Sequence, residues 1–372
     1  MRTFLKGILP MLAATSTLAA PIAAQDAAPQ VTPSSLVEAS QKTEWRKIAP
    51  SDLMVMDLAP AADGTARRVV IQLMPPPFSV PWTHNMRKLV AARWYDGISI
   101  VRVQDNYVVQ WGDPDGENPT KAKPLPDGLC EAGEENYTAS FADEDEPECA
   151  HEAFASAEIA ALDAQSMAAG MAALDAQSMA TGEEAPPASI PATATAQAEM
   201  GWHMRDSYAP WVEFYQGWPV ATEAPENSEE TEARFWPLHC YGTVGVGRNY
   251  SPDTGTGAEL YAVIGQAPRQ LDRNIAVVGR VIEGLEYLSS LPRGTGELSF
   301  YKTPQERTPI TSVRMGDEIA DLPTFEYLAT DSPSFETYIA SRANRKDAFY
   351  LAPAGGVDIC NIPVPIRHAA EK

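Results

Sequence analysis

Short apolar runs separated by turn residues fill two blocks of this chain, roughly residues 50–114 and 236–318, and the pattern fades between and beyond them. In the first block, "DLMVMDLAPAADGTARRVVIQLM" holds two strand-like runs around a turn at Ala62-Asp63-Gly64, which predicts a β-hairpin. After the break "PPPFSVP", the stretch "WTHNMRKLVAARWYDG" predicts a short helix with Met86, Leu89 and Val90 inward and Gly97 beyond its end. "ISIVRV" and "YVVQW" then read as strands joined by a turn at Asp105-Asn106. Strict alternation in the first puts Ile98, Ile100 and Arg102 on one face, with Ser99, Val101 and Val103 on the other. For Arg102 the plain reading is an edge-strand side chain whose stem covers apolar neighbours while its head reaches water.

The second block opens with "FWPLHCYGTVGVGRN". "AELYAVIG" and "NIAVVGRV" follow as strands, "IEGLEYLSSL" as a short helix stopped at Pro292-Arg293-Gly294, and "PITSVRMGD" as a closing strand. Between the blocks, from about residue 115 to 235, the chain is rich in Pro, Ala, Glu and Asp, and "FADEDEPEC" reads as a solvated loop. "AALDAQSMA" occurs twice there, at Ala160–Ala168 and Ala172–Ala180. Twelve residues of helix turn through about 1200°, so the copies sit about 120° apart and form no common stripe. They read as a duplication in a surface helix or disordered arm. Late in the insertion Trp202, Tyr208, Trp211, Phe214, Tyr215 and Trp218 need burial, so this island is expected to pack on the main body; an exposed aromatic binding surface is the alternative. Residues 321–372 form a C-terminal extension expected to pack on the body. Many short strands, two short helices and long loops imply a mainly β, closed or nearly closed barrel capped by helices.

The start of the chain changes where this protein is expected to work. "MRTFLKGILPMLAATSTLAAPIAAQ" has two cations by Lys6, then small and aliphatic residues, the layout of a signal peptide over residues 1–24 cut after Ala24. Residues 25–45 read as an unstructured leader. The expected product is exported, into a bacterial periplasm, with no integral membrane segment after cleavage. A net charge of −22 argues against nucleic acid and anionic membrane surfaces as partners. Four cysteines, Cys130, Cys149, Cys240 and Cys360, suit an oxidising compartment. Three pairings are possible; Cys130 with Cys149 is preferred because both lie in one acidic segment, which leaves Cys240 with Cys360. Metal is the competing use, but the cysteines lack close-paired spacing and only five histidines are present, so no metal is assigned.

The order hairpin, proline-rich break, helix with Asn85, "RWYDGISIVRV", "YVVQWGD", "YGTVGVGR", "GAELYAVIG", "QLDRNIAVVGRVIEGLE" and "ITSVRMGD" resembles a divergent, exported bacterial cyclophilin, a peptidyl-prolyl cis-trans isomerase. The resemblance covers roughly residues 50–114 and 236–318. It implies a closed eight-stranded antiparallel barrel capped by two helices over residues 46–320, interrupted by the acidic insertion. It also implies action on Xaa-Pro bonds in proline-containing segments of exported proteins, without a cofactor.

By that resemblance Arg102 is the catalytic group. Gln110 matches a pocket glutamine that helps hold the arginine and the substrate carbonyl. Ile100 stands where an aromatic is usual, and Tyr107 and Val108 where a Phe and a Met usually lie. The family's Gln-Phe-Phe corresponds to Glu259-Leu260-Tyr261, or to Leu260-Tyr261-Ala262 in the other register; the first keeps Tyr261 as an aromatic floor. Leu271 matches the pocket leucine, Gln270 and Ile275 replace aromatic or histidine residues, and Val246 replaces a backbone-binding Asn. The thinned aromatic lining, and a Glu259 that either orients Arg102 or occupies its donors, predict weak isomerase activity. A catalytically inactive peptide-binding or chaperone module of the cell envelope is the alternative. A hydrolase is disfavoured because no Gly-x-Ser-x-Gly occurs and the histidines show no partner spacing; His239 beside Cys240 reads as the neighbour of a disulfide cysteine.

Overall fold

The computed structural model describes residues 31–140, 205–223, 233–345 and 349–369. The proposed signal peptide, the "FADEDEPEC" run, the "AALDAQSMA" repeat, Cys149 and Trp202 lie outside the described residues. The chain divides into two units, Met1–Val31 and Thr32–Lys372, and the barrel with its flanking layers belongs to the second.

Eight strands close into an antiparallel barrel. They are β2 (Leu53–Leu58), β3 (Arg67–Leu73), β4 (Ser99–Val103), β5 (Val108–Gly112), β9 (Thr243–Val246), β10 (Leu260–Val263), β11 (Val277–Glu283) and β12 (Thr308–Met315). Their order around the barrel is β10-β5-β4-β12-β2-β3-β11-β9. The β2–β3 hairpin turns where expected, with Gly64 at φ 87° and the Asp63 carboxylate accepting from the Thr65 amide at 2.9 Å. Asn106, at φ 50°, makes the turn between β4 and β5, a conformation Asn tolerates better than most residues. Alternate residues of the strands, among them Met56, Ile71, Val109, Trp111, Val244, Ala262 and Val278, meet in one interior core. Helix α2 (Val80–Ala91) caps it with Trp82, Met86, Leu89 and Val90, and α3 (Leu285–Ser289) adds Leu288. Closure leaves no strand edge in the barrel open to pairing.

Three features differ from the sequence reading. The predicted leader carries a capped helix, α1 (Pro33–Glu38), because Thr32 and Ser35 bond reciprocally to each other's backbone and Pro33 opens the first turn. Part of the acidic insertion forms a sheet of β6 (Trp211–Tyr215), β7 (Trp218–Glu223) and β8 (Arg234–Pro237). Its Tyr215 and Trp218 pack with Met74, Phe78 and Val277, as expected of the aromatic island, whereas Tyr208 of the same island is exposed and Trp211 and Phe214 are only partly buried. Arg280 of β11 reinforces that dock: it donates to the Gln72 side chain and to the Gly217 carbonyl, and its guanidinium lies 4.3 Å from the Trp218 ring centre. Third, β4 carries a bulge. Ile100 pairs with Trp111 and Arg102 with Gln110, so Val101 is extra and the strict alternation expected through "ISIVRV" breaks.

The C-terminal extension builds a second layer. Strand β13 (Phe325–Leu328) pairs with β1 (Trp45–Lys47) and β14 (Ile366–His368), and α4 (Pro333–Ala343) packs Phe335, Tyr338 and Ile339 against Trp45 and Leu328. A disulfide joins Cys240, after β8, to Cys360 in this extension, the pairing expected from the sequence. The other expected pair includes Cys149, outside the described residues.

Candidate functional site

Residues directly opposite in an antiparallel ladder share a face of the sheet. Arg102 lies opposite Gln110, Gln110 opposite Tyr261, and Tyr261 opposite Gly245, so β4, β5, β10 and β9 carry one row across the barrel's outer wall. The bulge in β4 makes this possible. Without it Arg102 would share the face of Ile100, which is fully buried in the interior.

Beside the row lies a small apolar cluster outside the main core: Val108, Tyr261 and Val263, with Tyr107, Leu271 and Ile275 packed against them. Six of the residues singled out in the sequence therefore meet Arg102 on one face: Gln110, Tyr107, Val108, Tyr261, Leu271 and Ile275. Three others do not. Ile100, Val246 and Leu260 have no exposed surface and belong to the interior core. The expectation that they line the pocket is corrected: on a two-sided strand they alternate with the outward residues and buttress the wall from behind.

Arg102 is half-buried and held on several sides. Its Nε donates to the Leu298 carbonyl at 2.7 Å, one Nη to Gln110 Oε1 at 3.1 Å, and the other Nη to Gln104 Oε1. The guanidinium carbon sits 5.7 Å from the Tyr107 ring centre and 5.3 Å from that of Phe300. A guanidinium has five N–H donors; with three committed among the described residues, two are left for a ligand. Burial draws its pKa down from the usual arginine value, opposed by the Coulomb effects of Tyr107 and Glu259.

Glu259 does not pair with Arg102. Its carboxylate accepts from Gln110 Nε2 instead, so Gln110 is clamped between Arg102 on its oxygen and Glu259 on its nitrogen. The Glu259 stem runs over two glycines; a Cβ at Gly112 or Gly247 would meet its Cγ at 3.1 or 2.8 Å. Although Glu259 is exposed as a residue, atoms crowding its carboxylate push its pKa above the ordinary glutamate value, partly offset by the Gln110 hydrogen bond.

Tyr261 is fixed from below. Its hydroxyl lies 2.9 Å from Nε2 of His239, which has no exposed surface, and the opposite ring nitrogen is 2.9 Å from Asp272 Oδ1. Sequence reading missed His239 in this role, as well as Gln104, Leu298 and Phe300, because all four reach the site from connecting segments outside the paired strands.

Comparison with known proteins bears on the fold that carries this site. Residues 65–181 match the family model for cyclophilin type peptidyl-prolyl cis-trans isomerases, a segment short of half the chain. Among solved structures, the chain is similar to the cyclophilin AquaCyp293 from Hirschia baltica, at 20% identity and a TM-score of 0.54, covering 92% of this chain and 100% of that one. A cyclophilin type peptidyl-prolyl cis-trans isomerase from Cryptosporidium parvum matches at 12% identity and a TM-score of 0.33, covering 71% of this chain and 96% of that one. No curated protein matches the sequence. The barrel has the cyclophilin fold, and the matched segment includes β4 and β5, which supply Arg102 and Gln110.

Proposed function

We propose that the protein is a divergent exported cyclophilin: a peptidyl-prolyl cis-trans isomerase acting, weakly, on Xaa-Pro bonds of exported proteins and assisting their folding. The observation that carries this is the row Arg102–Gln110–Tyr261 beside the apolar cluster of Tyr107, Val108, Leu271 and Ile275. Turning an Xaa-Pro bond means losing amide resonance, with a barrier of about 18–20 kcal/mol. No nucleophile or proton acceptor is needed. The apolar cluster suits a proline ring, and an uncommitted Arg102 N–H suits the lone pair that localises on the prolyl nitrogen as the amide twists. Gln110 keeps the guanidinium in place and Glu259 keeps Gln110 in place. Each 1.4 kcal/mol or so by which Arg102 favours the twisted amide over the planar one gives about tenfold in rate. The Cys240–Cys360 disulfide supports export to an oxidising compartment.

A peptide-binding module without turnover is the second reading, and one observation favours it: three of Arg102's donors already serve Leu298, Gln110 and Gln104. A protease-coupled assay of cis-to-trans isomerisation of a short Xaa-Pro peptide separates the two. Catalysis that Arg102→Ala abolishes supports the enzyme; peptide binding with solvent-like rates in both proteins supports the module.

A further inference from the structure

A chain of buried polar groups runs from the pocket floor away from the barrel. The Tyr261 hydroxyl faces His239 Nε2 at 2.9 Å, and His239 Nδ1 faces Asp272 Oδ1 at 2.9 Å. Asp272 also accepts from the His239 backbone amide at 2.9 Å and, on its other oxygen, from Arg269 Nε at 2.5 Å. The Arg269 fork closes on both oxygens of Asp206 at 2.7 and 2.9 Å. The His239, Asp272, Arg269 and Asp206 side chains are each at most 6% exposed.

The hydrogen-bond network assigns the protons. Asp272 can only accept, so His239 Nδ1 carries a proton and donates to it; in the neutral imidazole Nε2 then accepts, and the Tyr261 hydroxyl donates. The phenol keeps that proton, since burial pushes its pKa well above the usual tyrosine value. Every member of the chain is thus satisfied by another, the condition under which a buried polar network fixes one geometry.

The two ends of this chain matter. Tyr261 belongs to β10 and floors the apolar cluster, whereas Asp206 lies in the acidic insertion. Cys240, adjacent to His239, is bonded to Cys360 of the C-terminal extension, and the Cys360 sulfur lies 3.8 Å from the His239 carbonyl. Arg269 and Asp272 bracket Leu271, itself part of the cluster. Two segments outside the barrel therefore converge on the groups that hold the pocket's aromatic floor and its leucine.

We infer that His239 is a positioning residue for the proline pocket: it locks the Tyr261 ring through its hydroxyl, and the insertion and C-terminal extension hold His239 in register through Asp206–Arg269–Asp272 and the Cys240–Cys360 bond. This rests on the pocket proposed above. The pocket's shape is then set partly by elements that do not belong to the barrel, and its thinned aromatic lining is compensated by a floor whose position is anchored at the Tyr261 hydroxyl.

The test is a double-mutant cycle read by binding, not turnover. Affinity for a capped Ala-Ala-Pro-Ala peptide would be measured by calorimetry for wild type, His239→Ala, Tyr261→Phe and the double variant, with His239→Gln as a milder partner should His239→Ala fold poorly. The expected result is a three- to tenfold loss in each single variant and no further loss in the double, because both remove the same hydrogen bond. Losses that multiply, or unchanged affinity in both His239 variants, overturn the inference. A parallel NMR readout needs no peptide: a slowly exchanging Tyr261 hydroxyl proton with a cross-peak to the His239 ring, lost in Asp272→Asn. If wild type binds no peptide while that proton is present, the pocket reading fails but the lock on Tyr261 stands. If the proton is absent from wild type, the lock itself is refuted.

Discussion

Removing the Cys240–Cys360 bond is the perturbation whose size comes most directly from the structure. The two cysteines stand 120 residues apart in sequence, so the bond closes a long loop that contains β9 to β13 and α4. In the chain-entropy treatment, releasing a loop of that length gives the unfolded chain about 5 kcal/mol of additional conformational free energy. Residual structure in the unfolded state reduces that figure, and the expected loss for Cys240→Ala/Cys360→Ala is about 3 to 5 kcal/mol. The assay is urea unfolding followed by tryptophan fluorescence, comparing midpoints and slopes for the two proteins. Thiol reduction of the wild type is a poorer perturbation, since Cys130 is also disulfide-bonded. A loss below about 1 kcal/mol would contradict this, since it would mean that packing around Ile359 and Ile362 anchors the extension without the covalent tether.

Two further outcomes concern the site. A Cβ at Gly245 would overlap the Tyr261 phenol, so Gly245→Ala should displace the ring and weaken peptide affinity severalfold while leaving the barrel folded; unchanged affinity by calorimetry would show that Tyr261 does not line the binding surface. Crowding of its carboxylate raises the Glu259 pKa, so folding favours its protonated form: that contribution is complete below the ordinary glutamate range and is lost as pH rises through the raised value. Glu259→Gln, which keeps an oxygen for Gln110, should therefore melt higher than wild type at neutral pH and equally below about pH 4. A difference that does not change with pH would contradict desolvation of the carboxylate as the cause.

Much of the barrel was legible because its strands carry apolar residues on their inward positions, and turns at Asp63-Gly64 and Asn106 use residues suited to positive φ. Arg102, Gln110 and Tyr261 were singled out from motif order, and the strand pairing sets the three on one face of the wall. The bulge at Val101 was not, since an extra residue leaves no mark in composition, and it alone decides that Ile100 and Arg102 face opposite ways. Ile100, Val246 and Leu260 were misplaced because matching by sequence position does not distinguish the two faces of a strand. His239 was read as a bystander to Cys240; its partners Tyr261 and Asp272 are 22 and 33 residues away, and only the fold brings them together. The insertion's sheet was hinted at only by the demand of its aromatics for burial.

In the function proposed above, Arg102 lowers the barrier to turning an Xaa-Pro bond. Exchange NMR at equilibrium on a capped Ala-Ala-Pro-Ala peptide measures that directly, with wild type and Arg102→Ala compared at equal occupancy. Losing a single donor aimed at developing charge costs about 10²- to 10³-fold elsewhere in enzymology. The expected result is exchange above the uncatalysed rate with wild type and a drop toward that rate with the variant, while peptide affinity changes little. Equal exchange with both proteins would contradict it.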